Sequence, residues 1–306
     1  MRKSIFLLLV TFCFISGLYA QSLSVATYNI RNENQGDVSK GNGWKQRCPV
    51  ITQLIRFHDF DIFGSQEVLV GQLNDMLAQL PGYDYIGVGR TDGLNAGEFS
   101  PVFYKKDKLT LLKSGTFWLS ETTDKPSVGW DAALPRICTW GKFQTKDGGD
   151  SFWFFNLHMD HIGVKARLES AKLVYQKIQA MCAGEPVILT GDFNVDQASE
   201  GYKFLTSSGM LQDSYETAGI RYATNGTFNS FDPNMKTNSR IDHIFLSKGF
   251  QAVRYGVLTD SYRAESEKSA EEVKSSQFPK EVSLYQYESR MPSDHFPVQV
   301  EVKFVR

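Results

Sequence analysis

Short apolar runs rich in β-branched and aromatic residues recur along almost the whole chain, each stopped by Gly, Asn, Asp or Pro. Runs of this length and make-up suit strands that bury one or both faces. They predict strands over Leu23–Asn29, Asp61–Ser65, Tyr83–Val88, Pro101–Tyr104, Leu109–Leu119, Arg136–Gln144, Phe152–His158, Val187–Thr190, Arg240–Leu246, Ala252–Leu258 and Val298–Phe304. A helical spacing appears in four places: Trp44–Phe57, Val70–Gln79, Val164–Met181 and Tyr202–Ser207. In the first, Val50, Ile51, Leu54, Ile55 and Phe57 gather on one face; in the third, Leu168, Ala171, Val174, Tyr175 and Ile178 do so, with Gly184 as the stop. Strands outnumber helices and several follow one another directly. That order predicts an α/β (α+β) sandwich, with stacked sheets inside and helices outside.

Two segments fall outside this pattern. Residues 1–20 open with Arg2 and Lys3, continue through the apolar stretch from Ile5 to Ile15, and end in Gly17-Leu18-Tyr19-Ala20. This reads as a secretory signal cleaved after Ala20, too short for a spanning helix of about 20 apolar residues. Residues 21–306 are then expected to form a single catalytic domain, periplasmic or secreted, with no stable membrane insertion. The second segment, 262–287, contains a charged and weakly helical run over 263–274, and reads as a surface insertion between two late strands, with a lid over a cleft as the alternative.

Charge and cysteine content narrow the function. Of 33 Lys and Arg, losing Arg2 and Lys3 leaves 31 against 34 Asp and Glu. A general nucleic-acid binder carries a basic excess, so nucleic acid is a disfavoured partner. Cys48, Cys138 and Cys182 sit among apolar neighbours, and three cysteines make no disulfide scaffold. With no Cys-x-x-Cys or His-x-x-x-His pair, any metal is expected among oxygen ligands.

The candidate chemistry lies where apolar strands end in polar residues. Val25-Ala-Thr-Tyr-Asn29 ends in an amide, and Asp61-Ile-Phe-Gly-Ser-Gln-Glu67 in a carboxylate. Phe152-Trp-Phe-Phe-Asn-Leu-His158 ends in an imidazole, and Val187-Ile-Leu-Thr-Gly-Asp192-Phe-Asn194 in a carboxylate and an amide. Asp242 opens a strand, and Ser293-Asp294-His295 leads into the last one. If these ends converge they form hard oxygen ligands plus imidazole, a set suited to Mg²⁺ or Mn²⁺. Phosphoester hydrolysis needs such a set: a cation against phosphoryl charge, a carboxylate for the water's proton, and imidazole and amide donors for the transition state. Taken singly, each residue also has an ordinary reading as a turn, a helix start or a satisfied buried histidine.

The ordered set Ala26-Thr-Tyr-Asn29-Ile, Gln66-Glu67, Asn156-Leu-His158, Gly191-Asp192-Phe-Asn194, Arg240-Ile-Asp242-His-Ile-Phe and Ser293-Asp294-His295-Phe-Pro resembles the endonuclease/exonuclease/phosphatase superfamily. The resemblance implies a four-layered sandwich of two packed, mostly antiparallel sheets flanked by helices. It implies Glu67 as the main metal ligand, with Asn29 and Asp294 in the metal shell. Asp192 would activate the water, and Asn194 and His158 would hold phosphoryl oxygens. His295, paired with Asp242, would stand beside the phosphorus. Tyr104 is a further expected phosphate contact, and Arg136 and Arg31 are expected to bind substrate. Trp44-Lys-Gln-Arg47 resembles the deadenylase/nocturnin branch. The loop Gly89–Glu98 is a candidate for specificity, and Trp118, Trp130 and Trp140, with Tyr104, are candidates to stack on a sugar or base, core packing being the alternative. The expected substrate is a phosphoester, small or oligomeric, and the expected state a monomer. The alternatives are a secreted nuclease and a binding module without catalysis.

Overall fold

The computed structural model describes residues 22–265 and 272–305; the signal expected over 1–20 lies outside them. In chain order the elements begin with β1 (Ser22–Asn29), α1 (Gln35–Val38), α2 (Trp44–Phe57), β2 (Ile62–Gln66), α3 (Val70–Gln79), β3 (Tyr83–Ile86) and β4 (Val102–Lys105). Then come β5 (Leu109–Trp118), β6 (Ile137–Thr145), β7 (Ser151–His158), α4 (Val164–Cys182), β8 (Val187–Asp192), α5 (Glu200–Ser207), β9 (Leu211–Asp213) and α6 (Ser214–Thr217). The chain continues through β10 (Ile220–Tyr222), β11 (Asp242–Ser247), β12 (Phe250–Val257), β13 (Tyr262–Ala264), β14 (Glu272–Val273), β15 (Leu284–Tyr285), β16 (Glu288–Arg290) and β17 (Val298–Phe304).

The strands form a seven-stranded sheet, β10-β12-β17-β1-β2-β4-β3, and a six-stranded sheet, β5-β6-β7-β8-β11-β9. Most neighbours are antiparallel; β1–β2, β7–β8 and β10–β12 run parallel. Three apolar layers separate four structural ones. Between the sheets lie Val25, Ile62, Val102, Phe152, Phe154, Ile188, Ile244 and Val300. The alternate residues of the first sheet, such as Ala26, Tyr28 and Phe63, pack on Ile51, Leu54 and Ile55 of α2 and Leu73 and Met76 of α3. On the other side Phe155, Leu157, Leu189 and Phe245 pack on Val174 and Ile178 of α4 and Leu205 of α5. The period-two alternation of each strand thus feeds two different cores.

One polar group crosses the central layer. Asn156, fully buried in β7, accepts from Gln66 Nε2 at 2.7 Å and Thr190 Oγ1 at 3.2 Å. It donates to the carbonyls of Ser65 at 2.8 Å and Pro101 at 2.9 Å. Gly64 makes room for it: a Cβ there would lie 2.1 Å from Asn156 Oδ1. All four hydrogen-bonding positions of the Asn156 amide are used, which makes this buried side chain a staple between sheets rather than a defect.

Of the run 263–274 expected to be weakly helical, residues 266–271 lie outside the described residues; the described parts of the segment include short strands, β13 paired with β16 and β14 with β15. Most of 272–288 is exposed, as a surface insertion should be. Cys48, Cys138 and Cys182 are free and buried. Among the described residues no helix is long and apolar enough to cross a membrane.

Candidate active site

Sheet register gathers the polar strand ends at one rim. Across the second sheet His158 pairs with Asp192, and Asp192 pairs with Asp242. Across the first, the parallel pair β1–β2 sets Asn29 opposite Gln66, one residue before Glu67. The turn into β17, which is antiparallel to β1, carries Asp294 and His295 back to the same edge. Ser293 Oγ fixes it there by donating to the Asn29 carbonyl at 2.7 Å.

The side chains form one network. Asn29 Nδ2 donates to Glu67 Oε1 at 3.1 Å and to Asp192 Oδ2 at 3.0 Å, so one amide braces two carboxylates. Glu67 Oε2 accepts from the backbone and side-chain nitrogens of Asn32 at 3.2 and 3.1 Å. The Arg31 guanidinium stands between Glu67 and Asp294, at 3.8 and 3.7 Å. Asn194 N–H donates to Asp192 Oδ1 at 2.9 Å, while its amide donates to the Met159 carbonyl. His295 Nδ1 meets Asp242 Oδ2 at 2.9 Å, and its Nε2 lies 3.8 Å from Asp192 Oδ2. His158 Nε2 approaches the same oxygen at 3.6 Å.

Burial makes these charges interact strongly. Burial and the neighbouring Asp242 push the Asp192 carboxyl up, against the opposing pull of His295. For His295 burial acts against the charged ring, but Asp242 and Asp192 outweigh it and hold the imidazolium well above its ordinary range. His158 goes the other way: burial, then Arg136 and Arg90, depress it, so its ring is neutral. Burial and Glu67 push the Asp294 carboxyl up, opposed by His295 and Arg31. Asp192, Asp242 and His295 also bring ligand-capable atoms within 4.8 Å of one another. In that group, however, one His295 nitrogen is already taken by Asp242.

A cavity of about 350 Å³ opens at this rim. Arg31, Glu67, Arg136, His158, Asp192, Asn194, Asp294 and His295 line it, with Asn29 and Asp242 directly behind. The structure therefore brings together ten of the eleven expected site residues. Tyr104 is the exception. It lies in β4, paired with Ile62 at the start of β2, and packs on Phe143 in the layer between the sheets. Because β4 runs antiparallel to β2, its C-terminal end lies away from the rim that holds Glu67. Trp118 is buried beneath the Arg90 carbonyl, and Trp140 packs on Trp153; neither they nor Trp130 line the cavity.

Six further residues line the cavity, Asn32, Arg90, Glu98, Leu134, His161 and Phe228, of which only Arg90 and Glu98 fell within an expected feature, the Gly89–Glu98 loop. Arg90 and Glu98 are the two ends of the Gly89–Glu98 loop, joined at 2.7 Å. His161 is held by Arg136 Nη2 at 2.9 Å, and Arg136 also bonds Asp160. The Phe228 ring stands edge-on to His295 at 5.1 Å. The tripeptide Met159-Asp160-His161 after His158, and the charge pair closing a Gly-rich loop, were the available signals. Phe228 offered none beyond a lone aromatic in a polar segment. None of the described residues of the 262–287 insertion lines this cavity. A larger cavity, about 870 Å³, borders Phe231, Arg290 and Phe296 and contains none of the strand-end residues.

The comparisons agree with this geometry. The model of the Endonuclease/Exonuclease/phosphatase family matches residues 26–295. A Bacteroides thetaiotaomicron protein of that family is 57% identical, with 94% of this chain and 99% of that one covered at a TM-score of 0.86. A mannosyl-6-phosphatase of the same organism is also 57% identical, covering 92% and 100% at a TM-score of 0.85. The catalytic domain of human nocturnin, solved with a bound sulfate anion, shares the fold at 18% identity and a TM-score of 0.64, covering 93% and 94%. The chain belongs to the endonuclease/exonuclease/phosphatase family of phosphoester-cleaving enzymes.

Proposed function

We propose that this protein is a divalent-metal-dependent phosphatase that cleaves a small phosphomonoester, a hexose 6-phosphate foremost. The observation that carries the chemistry is Asp192: a buried carboxylate held by Asn29 and Asn194, beside a charged His295, in a small cavity. Its raised proton affinity suits a base that takes a proton from water near neutral pH. The monoester reading is supported by the cavity's modest size and by the 57%-identical mannosyl-6-phosphatase. The lack of a basic excess counts against a nuclease.

The residues fit a hard cation. The partly buried Glu67 and the buried Asp294 are carboxylates facing one guanidinium, and that guanidinium lies beyond hydrogen-bond range of both. These two would hold Mg²⁺ or Mn²⁺. Asn29, expected as a third ligand, turns its NH₂ rather than its oxygen toward the carboxylates, so it is better read as the brace that orients Glu67 and Asp192. The ion, when bound, would supply positive charge against the phosphoryl and leaving oxygens. Asp192 takes the proton of the attacking water as the new P–O bond forms in line with the one that breaks. His295, kept charged by Asp242, and the neutral His158 offset charge on the phosphoryl oxygens, together with Asn194. Arg31 and Arg136 face the substrate. The basic start and apolar run of residues 1–20 support an exported enzyme.

The test is a substrate panel on the purified protein, with Mg²⁺ or Mn²⁺ and with a chelator. It contains mannose 6-phosphate, other sugar phosphates, nitrophenyl phosphate and its bis ester, sphingomyelin, and single-stranded DNA and RNA. The expected result is metal-dependent release of phosphate from the sugar monoesters. Undiminished turnover after chelation, or cleavage of diesters alone, refutes the proposal.

A further inference from the structure

Arg47 has no exposed surface and, among the described residues, no acidic partner within ion-pair range, and its guanidinium lies behind the rim, against the carbonyls of the loops that carry it. Every hydrogen bond it makes goes to a main-chain carbonyl. Nη1 donates to Ile30 at 2.6 Å and to Pro292 at 3.1 Å; Nη2 donates to Arg31 at 3.1 Å; Nε donates to Asn42 at 2.7 Å. Trp44 and Phe231 cover its faces, with Arg47 Cζ 5.4 and 5.5 Å from the ring centres. Burying a guanidinium this way is costly, and a fold in need of packing alone would place an apolar side chain here.

The acceptors show what the charge is for. Ile30 and Arg31 directly follow Asn29. Pro292 lies two residues before Asp294. These two loops come from opposite ends of the chain, and they are also tied by the Ser293–Asn29 hydrogen bond and by the longer Arg31–Asp294 ion pair at 3.7 Å. A planar fork with donors on three nitrogens spans them, which a Lys ammonium at one point cannot do.

We infer that Arg47 is a positioning residue: its carbonyl clamp sets the distance between the loop after β1 and the loop before β17, and so the spacing of Glu67, braced by Asn29, from Asp294. The clamp has an outer end. Arg290, at the end of β16, donates to the Lys40 carbonyl at 2.8 Å and to Asn42 Oδ1 at 3.0 Å, and the Asn42 carbonyl is the acceptor of Arg47 Nε.

This inference rests on the metal reading above, and the test separates the two. Binding of Mn²⁺ to the protein without substrate is measured by calorimetry for the wild type, Arg47→Lys, Arg290→Ala and Ile55→Val. The last is a control with a loosened α2 core far from the carbonyls. Partners of metal ligands typically alter affinity by about 10–100-fold. Arg47→Lys is expected to weaken Mn²⁺ binding at least about tenfold, with KM for sugar phosphate at saturating Mn²⁺ moving less than about threefold. Arg290→Ala, at a partly exposed position, folds regardless and is expected to weaken binding by about threefold. Wild-type Mn²⁺ affinity in Arg290→Ala and in folded Arg47→Lys, or an equal loss in Ile55→Val, overturns the clamp. If Arg47→Lys does not fold, the Arg290→Ala result decides. A wild-type protein that binds no Mn²⁺ instead overturns the metal reading itself.

Discussion

Removing the buried staple between the sheets gives the sharpest energetic prediction. Asn156→Ala deletes four hydrogen bonds. At about 1 kcal/mol net for each, the loss would be about 4 kcal/mol. Three of the partners keep a second bond, however: Gln66 Nε2 to Thr27, Thr190 Oγ1 to the Phe155 carbonyl, and the Pro101 carbonyl to Ser65 N–H. That lowers the expected cost to about 3 kcal/mol. Gly64→Ala attacks the same contact from the other side. Its new Cβ would meet Asn156 Oδ1 at 2.1 Å and Thr190 Oγ1 at 2.6 Å, an overpacking worth about 2–3 kcal/mol. In the double variant the closer of those clashes is gone. Urea unfolding of the four proteins should therefore show a sum that falls short of additivity by at least about 1 kcal/mol. Additivity within about 0.5 kcal/mol would refute the reasoning, since it would mean the two residues do not touch.

The other predictions concern the rim. Asp192→Asn and His295→Ala should each lower kcat at least about 100-fold, the scale of a lost base or charge stabiliser, and Asp242→Asn should approach the same loss by leaving the His295 imidazolium without its partner; a near-normal steady-state rate in any of them would mean the roles are misassigned. Glu67 adopts φ 62°, a left-handed conformation that costs a residue with a Cβ about 1 kcal/mol or more. Both Glu67→Ala and Glu67→Gly should abolish turnover, with the Gly variant the more stable by about 1 kcal/mol in denaturant titration; equal stability would argue against strain at this position. Burial works to raise the Asp160 carboxyl, but the backbone N–H groups of Gly163, Ile162 and Ala133, with Arg136, outweigh it and hold it well below its ordinary range. A depressed carboxyl adds stability that is complete above its unfolded value near pH 4 and fades as pH falls through the folded value. Asp160→Asn should melt lower than wild type at pH 7, and the gap should close on acidification. A gap that stays constant with pH would refute the linkage.

Most of the fold was legible because strand composition is a local property. The helices α2 and α3 begin and end where the apolar spacing predicts. The elements that went unread are three residues long or less, such as β9 and β10, or single helical turns such as α1 and α6, and carry too few positions to show a period. The site was legible for a different reason. A polar residue at the end of a buried strand is costly unless something uses it, and Asn29, Glu67, His158 and Asp192 share that position. Tyr104 fails on the same logic read more carefully. It also ends an apolar strand, but the direction of that strand is set by its antiparallel pairing with β2, a long-range fact that a local run of residues does not contain.

Local propensity and the needs of the rim come into open conflict at three positions. Arg31, Glu67 and Asn194 hold φ values of 58°, 62° and 50°. Asn tolerates that region; Arg and Glu do so only at a cost. Each of the three follows directly, or within two residues, a strand whose last residue is already fixed by sheet register. Turning the backbone left-handed at that point is what swings Glu67 toward Asn29, and Arg31 back between Glu67 and Asp294. The strain is held in place by Asn29, which accepts from the Arg31 N–H at 3.0 Å while bracing both carboxylates. A sequence optimised only for stability would place Gly at positions 31 and 67. That it carries a cation and an anion there is the physical reason to regard this rim, and not the larger cavity beside it, as the place where the chemistry occurs.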